Sequence, residues 1–238
     1  MRPPHASGNA LPFLSAFSPV SLMLIFDCDG VLIDSEVLIC RIVAETLTEV
    51  GFAITTEQVI HRFAGRPALE QQREIEAEWG QPLPDDYGAK VHARSIAAYH
   101  HELQAMPGVS DMLQRLQVPI CVASSSEMDK LRLGLRVTGL ASHFEPNILS
   151  ASMVARGKPA PDVFLFAAGW MRTCPRECLV VEDSVAGTRA AIQAGIPVIG
   201  FAGGSHCPPG HGARLIEAGA REVITDMAAL PDRLQLHA

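Results

Sequence analysis

Apolar and polar positions follow two regimes along this chain. The run Leu22-Met23-Leu24-Ile25-Phe26 is apolar without a break and delivers Asp27-Cys28-Asp29-Gly30. A half-exposed strand alternates apolar with polar residues, so an unbroken run predicts a strand buried on both faces, with Asp27 at its carboxyl end. Asp34-Ser35 then offers an N-cap for a helix reaching to about Val50, with Gly51 as its stop and Ile39, Val43, Leu47 and Val50 on one face. Helical segments follow at roughly Thr56–Phe63, Ala68–Trp79 and Asp85–Leu103, separated by Gly65-Arg66-Pro67 and Gly80-Gln81-Pro82-Leu83-Pro84. No strand pattern interrupts them. A connection of this length far exceeds an ordinary βα loop and predicts a small inserted, all-helical domain over residues 34–105.

From Met106-Pro107-Gly108 the second regime begins, in which helix and strand alternate. The pattern predicts a helix near Val109–Leu116, a strand Val118–Ala123 ending in Ser124-Ser125-Ser126, a helix from Glu127 to about Val137 and a short strand near Ile148. A helix Pro161–Met171, a strand Cys178–Val181 ending in Glu182-Asp183-Ser184 and a helix Ala186–Ala194 closed by Gly195 come next. A strand Pro197–Phe201, a helix around Gly212–Ala218, a strand near Val223 and a final short helix complete the chain. Alternating β and α with buried strands predicts an α/β fold, a doubly wound parallel sheet formed by residues 22–33 and 106–238. The stretch from Met1 to Ser21 carries Pro3, Pro4, Gly8, Pro12 and Pro19 without periodicity and lacks the features of a signal peptide, which predicts a flexible leader.

The composition narrows the functional classes. With 238 residues, 48% of them hydrophobic, the chain can bury a substantial core, and no apolar run approaches the roughly 20 residues that span a bilayer. A net charge of −7 argues against a nucleic-acid or anionic-membrane surface, which needs clustered Lys and Arg. The lysines are only Lys90, Lys130 and Lys158. The six cysteines form no Cys-x-x-Cys pair and no zinc-like cluster, so they read as reduced thiols of a cytoplasmic protein, with Cys174 and Cys178 the one spacing that admits a redox pair.

In an open parallel sheet, ligands bind beyond the carboxyl ends of the strands. Those ends carry Asp27-x-Asp29, Ser124 and Glu182-Asp183, and a loop adds Lys158 in Gly157-Lys158-Pro159-Ala160-Pro161-Asp162. Singly, each has an ordinary explanation, since strand ends are often polar and serines cap helices. Together they assemble carboxylates, a hydroxyl and a rare lysine on one rim. Two like charges about 4 Å apart cost on the order of 4 kcal/mol even at an effective dielectric of 20, which a hard cation relieves. Oxygen-only ligands suit Mg²⁺, which commonly bridges carboxylates to a phosphate oxygen. Ser124 and Ser125 with backbone amides and Lys158 would hold the remaining phosphate oxygens, making a phosphoryl site.

At these residues the chain resembles the haloacid dehalogenase superfamily phosphohydrolases that carry a helical cap after the first strand, near the β-phosphoglucomutase and sugar-phosphatase branch. The resemblance rests on Asp27-Cys28-Asp29-Gly30-Val31-Leu32, Val122-Ala123-Ser124, Lys158-Pro159-Ala160-Pro161-Asp162 and Val181-Glu182-Asp183-Ser184-Val185-Ala186-Gly187, in order and at fitting spacing from about Leu22 to Leu234. It implies a Rossmann-like core, with Asp27 as the nucleophile that forms an aspartyl-phosphate and Asp29 as the general acid/base. It also implies Mg²⁺ bound by Asp27, the Asp29 main-chain carbonyl and Asp183, with Glu182 acting directly or through water. Asp27 has to stay ionised, favoured by Mg²⁺ and Lys158, while neighbouring negative charge is expected to keep a proton on Asp29.

Within that family the expected activity is hydrolysis of a small phosphomonoester, a sugar phosphate or sugar-acid phosphate. Phosphomutase chemistry is the alternative, although the mutase branch carries a His five residues after the Asp that opens the cap helix, and Asp34 leads here to Ile39. A non-catalytic binding protein on the same fold is a second alternative. Gly65 and Arg66 resemble a cap specificity loop, and Lys90, with Arg94 on the same helix face, is expected among the substrate contacts. His92, His100 and His101 are read as exposed helix positions, and the Gly203-Gly204-Ser205-His206 loop either borders the crevice or is a simple connection. The implied partner is a small phosphorylated metabolite, with no nucleic acid and no membrane, and the implied state a monomer or weak homodimer.

Overall fold

In the computed structural model, residues 22–234 are described; the expected leader, residues 1–21, and residues 235–238 lie outside them. The elements run β1 (Met23–Phe26), α1 (Glu36–Glu49), α2 (Thr56–Phe63), α3 (Ala68–Trp79), α4 (Tyr87–Glu102), α5 (Val109–Arg115), β2 (Ile120–Ser124), α6 (Met128–Val137), α7 (Ala141–Phe144) and β3 (Ile148–Ser150). They continue with α8 (Asp162–Trp170), β4 (Cys178–Glu182), α9 (Val185–Gln193), β5 (Val198–Phe201), α10 (His211–Ala218), β6 (Glu222–Ile224) and α11 (Leu230–Leu234).

The strands form a six-stranded sheet in the order β3-β2-β1-β4-β5-β6, with every pairing parallel. β1 is central, and its unbroken apolar run serves two cores. Leu24 and Phe26 face one cluster with Val122, Val181, Ile199 and Phe144. Met23 and Ile25 face the other with Cys121, Val180, Phe164 of α8 and Ala190 of α9. The chain builds outward from β1 to β3 and then restarts at β4 on the opposite side, so a topological switch lies between β1 and β4. Register completes the placement. Phe26 pairs with Val181, and the Asp27 amide donates to the Val181 carbonyl at 3.0 Å, which brings Asp27 level with Glu182.

The helices α1 to α4 enclose a third cluster, with Val43, Leu47, Val59, Phe63, Ile75 and Tyr87 buried. α1 is buried beyond the single stripe that periodicity suggests, because Leu38 and Ile42 pack into the sheet-side core while Cys40, Val43 and Leu47 pack into the helical one. Its start also differs from expectation. Ser35 occupies the N-cap position without a side-chain capping bond, its hydroxyl being engaged elsewhere. α2, by contrast, has a full capping box of Thr55 and Gln58. α7 leaves no periodic trace at four residues, yet it buries Phe144 edge-on against Phe26 with ring centroids 6.1 Å apart. All six cysteines are free, Cys174 and Cys178 included. Among the described residues no helix is long and apolar enough to cross a membrane.

Candidate active site

Two polar clusters converge at the carboxyl ends of β1, β2 and β4. The first is built around Lys158. Its Nζ donates to Asp27 Oδ1 at 2.6 Å and to Glu182 Oε2 at 2.8 Å, with the lysine side chain 4% exposed and that of Glu182 fully buried. The other Glu182 oxygen accepts from the Ser184 amide at 2.9 Å and the Ser184 hydroxyl at 2.7 Å. Asp183 completes the group, since ligand oxygens of Asp27, Glu182 and Asp183 lie within 4.8 Å of one another.

Two glycines let these carboxylates crowd. At Gly30, with φ +75°, a Cβ would overlap the Asp183 carboxylate. At Gly187, in the first turn of α9, a Cβ would overlap the Glu182 carboxylate.

The electrostatics follow from the packing. Burial, then the charge of Glu182 and Asp183, pushes the Asp27 carboxyl well above the ordinary carboxylate range, against the pull of Lys158. Burial likewise raises Glu182. Burial works against the charge on Lys158, but Asp27 and Glu182 outweigh it and raise its pKa, so the ammonium stays charged. One lysine among three buried carboxylates leaves an excess of negative charge carried wholly by hard oxygen donors, which fits a small divalent cation such as Mg²⁺. Asp183 has its own cationic neighbour: His206 Nε2 lies 2.8 Å from Asp183 Oδ2, both side chains being nearly fully buried. Burial lowers the His206 pKa, yet the bonds to Asp183 and Cys207 and the negative charge of Asp183 and Glu36 push it up to about 11.

The second cluster surrounds Asp29. Ser35 donates to its Oδ1 at 2.6 Å and the Tyr99 hydroxyl at 3.2 Å; Ser126 donates to its Oδ2 at 2.6 Å, with the buried Ser124 hydroxyl 3.5 Å away. Burial would raise this carboxyl, but Lys130 and the hydrogen bonds from Ser126, Ser35 and Tyr99 prevail and hold it below its usual value. The expectation that negative neighbours keep Asp29 protonated is therefore corrected. Asp29 turns toward hydroxyls of the helical insert and of the loop after β2, and these stabilise the carboxylate.

Both clusters open into a cleft of about 530 Å³ between the sheet and the helical insert, reached by Asp27, Asp29, Ser124, Ser125, Lys158 and Asp183 from the sheet side. From the insert come Gly65 and Arg66, with Ile39, Val43, Phe63 and Val91 as an apolar wall. The Gly65 amide donates to Glu36 Oε2 at 3.3 Å, and Arg66 donates to Glu74 at 2.8 Å and to the Arg62 carbonyl at 3.0 Å. Lys90, expected among the substrate contacts, does not line this cleft; it pairs with Asp86 at 2.9 Å one turn back on an exposed face. Arg94 is likewise turned away, to Glu49 and Thr46. His92 reaches the cleft wall and meets Asp129 of the sheet side at 3.0 Å, so it is not a plain surface position.

Sequence reading did not pick out Ser35, Glu36, Tyr99, Ser126 or Lys130 as part of this site. Ser126 stood in a visible serine run and Ser35 beside the first acidic pair, but Tyr99 gives no local signal 70 residues from Asp29.

A family model described as haloacid dehalogenase-like hydrolase matches residues 24–201. The chain is 31% identical to a 6-phosphogluconate phosphatase of Escherichia coli over 77% of its own length and 84% of the relative's. A crystal structure of a haloacid dehalogenase-like protein of unknown function from Agrobacterium tumefaciens superposes with a TM-score of 0.80 at 39% identity, covering 88% of this chain and 96% of the other. A hydrolase of the same family from Deinococcus radiodurans, solved with bound phosphate and sodium, superposes with a TM-score of 0.71 at 31% identity, covering 90% and 97%.

Proposed function

This chain belongs to the haloacid dehalogenase-like hydrolases, and from that premise we propose that it is a Mg²⁺-dependent phosphatase that hydrolyses a small sugar phosphate or sugar-acid phosphate through an aspartyl-phosphate on Asp27. The observation that carries this reading is the buried group of Asp27, Glu182 and Asp183 gathered around Lys158 at the floor of the cleft.

Asp27 is the nucleophile. Its carboxylate attacks phosphorus while Lys158 holds it in place and offsets its charge. Asp29 protonates the departing oxygen and afterwards takes a proton from the attacking water, so it has to pick up a proton in spite of its four hydroxyl neighbours. Ser124 and Ser125 face the cleft where phosphate oxygens need donors. Asp27, Asp183 and the Asp29 carbonyl would hold Mg²⁺, with Glu182 directly or through water. When bound, the ion supplies the positive charge that keeps Asp27 ionised and lets an anionic phosphate approach.

Substrate choice belongs to the walls of the cleft. Lys130 of α6 lines it with its ammonium 5.6 Å from the centre of the Tyr99 ring and, among the described residues, no carboxylate in ion-pair contact, and Arg66 lines it from the insert, paired with Glu74. Two cations beside an apolar wall favour a second negative group on the substrate, in keeping with the relative named for 6-phosphogluconate. Ile39 lines the cleft at the place where the mutase reading needs a histidine, which supports transfer to water over transfer to a second sugar hydroxyl.

The test is Mg²⁺-dependent phosphate release from a panel of sugar and sugar-acid phosphates. Release that stops on chelation supports the reading; interconversion of hexose 1- and 6-phosphates faster than phosphate release contradicts it.

A further inference from the structure

We propose that His206 is a positioning residue that holds one oxygen of Asp183 so that the other is presented to the divalent cation. The inference rests on the reading above that these carboxylates bind such an ion.

The Gly203-Gly204-Ser205-His206 loop follows β5 and folds back over the carboxyl end of the sheet. His206 Nε2 meets Asp183 Oδ2 at 2.8 Å, with the histidine side chain 3% exposed and the aspartate 4%. The ring sits between Gly30 and Gly204, and a Cβ at either glycine would run into it. Two further contacts anchor the surrounding unit. Ser205 donates to Asp34 at 2.9 Å, tying the loop to the start of the insert, and His211 Nε2 lies 2.6 Å from the Asp183 main-chain oxygen. Asp183 is thus gripped at its carboxylate and at its backbone by one loop-and-helix unit.

The cations divide the carboxylates between them. Among the described residues Lys158 pairs with Asp27 and Glu182, whereas the carboxylate that His206 pairs with is Asp183, its Nε2 lying also 3.5 Å from Cys207 Sγ. A core histidine kept only for packing would satisfy both ring nitrogens or be replaced by an apolar residue. Here, among the described residues, Nδ1 is buried without a hydrogen-bond partner, a desolvation cost that an apolar side chain would avoid. What the imidazole provides in return is a fixed donor at Oδ2. An aspartate with that oxygen pinned cannot rotate its carboxylate away from the site, and outer partners of this kind commonly set ligand orientation and metal affinity.

Mn²⁺ binding to the metal-free full chain, followed by the electron paramagnetic resonance of the free ion, separates the alternatives without reference to turnover. The wild type is expected to bind Mn²⁺ and Asp183→Asn to lose it; failure of the wild type to bind overturns the metal reading itself. Given wild-type binding, His206→Ala is expected to weaken Mn²⁺ by about 10–100-fold. His206→Gln, whose amide reaches the Nε2 position, is expected to recover most of that loss, and His206→Asn, which is too short, is not. Unchanged or tighter binding in His206→Ala overturns the assignment, as does a loss in His206→Gln as deep as in His206→Asn. The Gln and Asn pair carries the comparison on its own if the alanine variant does not fold.

Discussion

Lys158 Nζ donates to Asp27 Oδ1 at 2.6 Å although 131 residues separate the two in the chain. The same ammonium reaches Glu182 at 2.8 Å, so one cation holds the ends of β1 and β4 together across the topological switch of the sheet. That relationship makes the site and the stability of the fold inseparable.

Removing the ammonium leaves buried carboxylates uncompensated. Lys158→Ala is expected to destabilise the metal-free protein at neutral pH by about 3–5 kcal/mol, as for other broken buried pairs. The deficit should shrink at acid pH, where the carboxylates protonate. Urea unfolding in the presence of a chelator at two pH values measures it, and a variant as stable as wild type would contradict the pairing.

Gly187→Ala opposes two effects of known sign. Alanine in a helix is favoured over glycine by roughly 0.5–1 kcal/mol, yet the new Cβ would overlap a Glu182 carboxylate pinned by Lys158 and Ser184. Overpacking of that kind costs about 1–3 kcal/mol. Net destabilisation together with a loss of phosphatase activity is the expected outcome, and thermal unfolding beside an activity assay checks it.

Glu36 gives stability a pH dependence. Burial, then the charges of Asp183 and Asp29, pushes its carboxyl from 4.5 up to about 7, against the opposing pull of His206 and Lys130. Below the ordinary value both folded and unfolded chains carry the proton. Between the two values only the folded chain holds it, so stability falls as pH rises, by no more than about 3 kcal/mol above pH 7. Glu36→Gln should therefore match wild type near pH 5 and melt higher than wild type at pH 8 in chelator. A constant difference across that range would contradict the assignment.

Ser126 tests the state of Asp29. Its hydroxyl donates to Asp29 Oδ2 at 2.6 Å, and a hydrogen bond to a charged group is worth about 1.5–3 kcal/mol, or roughly one pH unit or more. Ser126→Ala should raise the Asp29 carboxyl and carry the basic limb of kcat/KM to higher pH. A limb that stays in place would mean that Asp29 is not the acid.

The sheet and the gathering of carboxylates at its rim were legible because they depend on short-range signals. The apolar run ending at Asp27 and the run ending at Glu182 announce buried parallel strands, and parallel strands bring their carboxyl ends to one rim. Boundaries in the helical insert were legible for a similar reason, since Gly65-Arg66-Pro67 and Gly80 interrupt its periodicity. Side-chain partners across that insert were not. Ser35 looks like a helix cap but gives its hydroxyl to Asp29, Tyr99 looks like core but ends on the same carboxylate, and Lys90 looks like a ligand contact but pairs with Asp86. Each choice is settled by how α1 and α4 pack against the sheet. Linear spacing does not encode that packing.

The most direct measurement is to mix the protein with Mg²⁺ and a turnover-competent phosphomonoester, quench in acid and locate phosphorus by peptide mass spectrometry. A phosphoryl group on Asp27, absent in Asp27→Asn together with turnover, is the predicted result. Turnover that continues in Asp27→Asn, or phosphorus found on another residue, would contradict it.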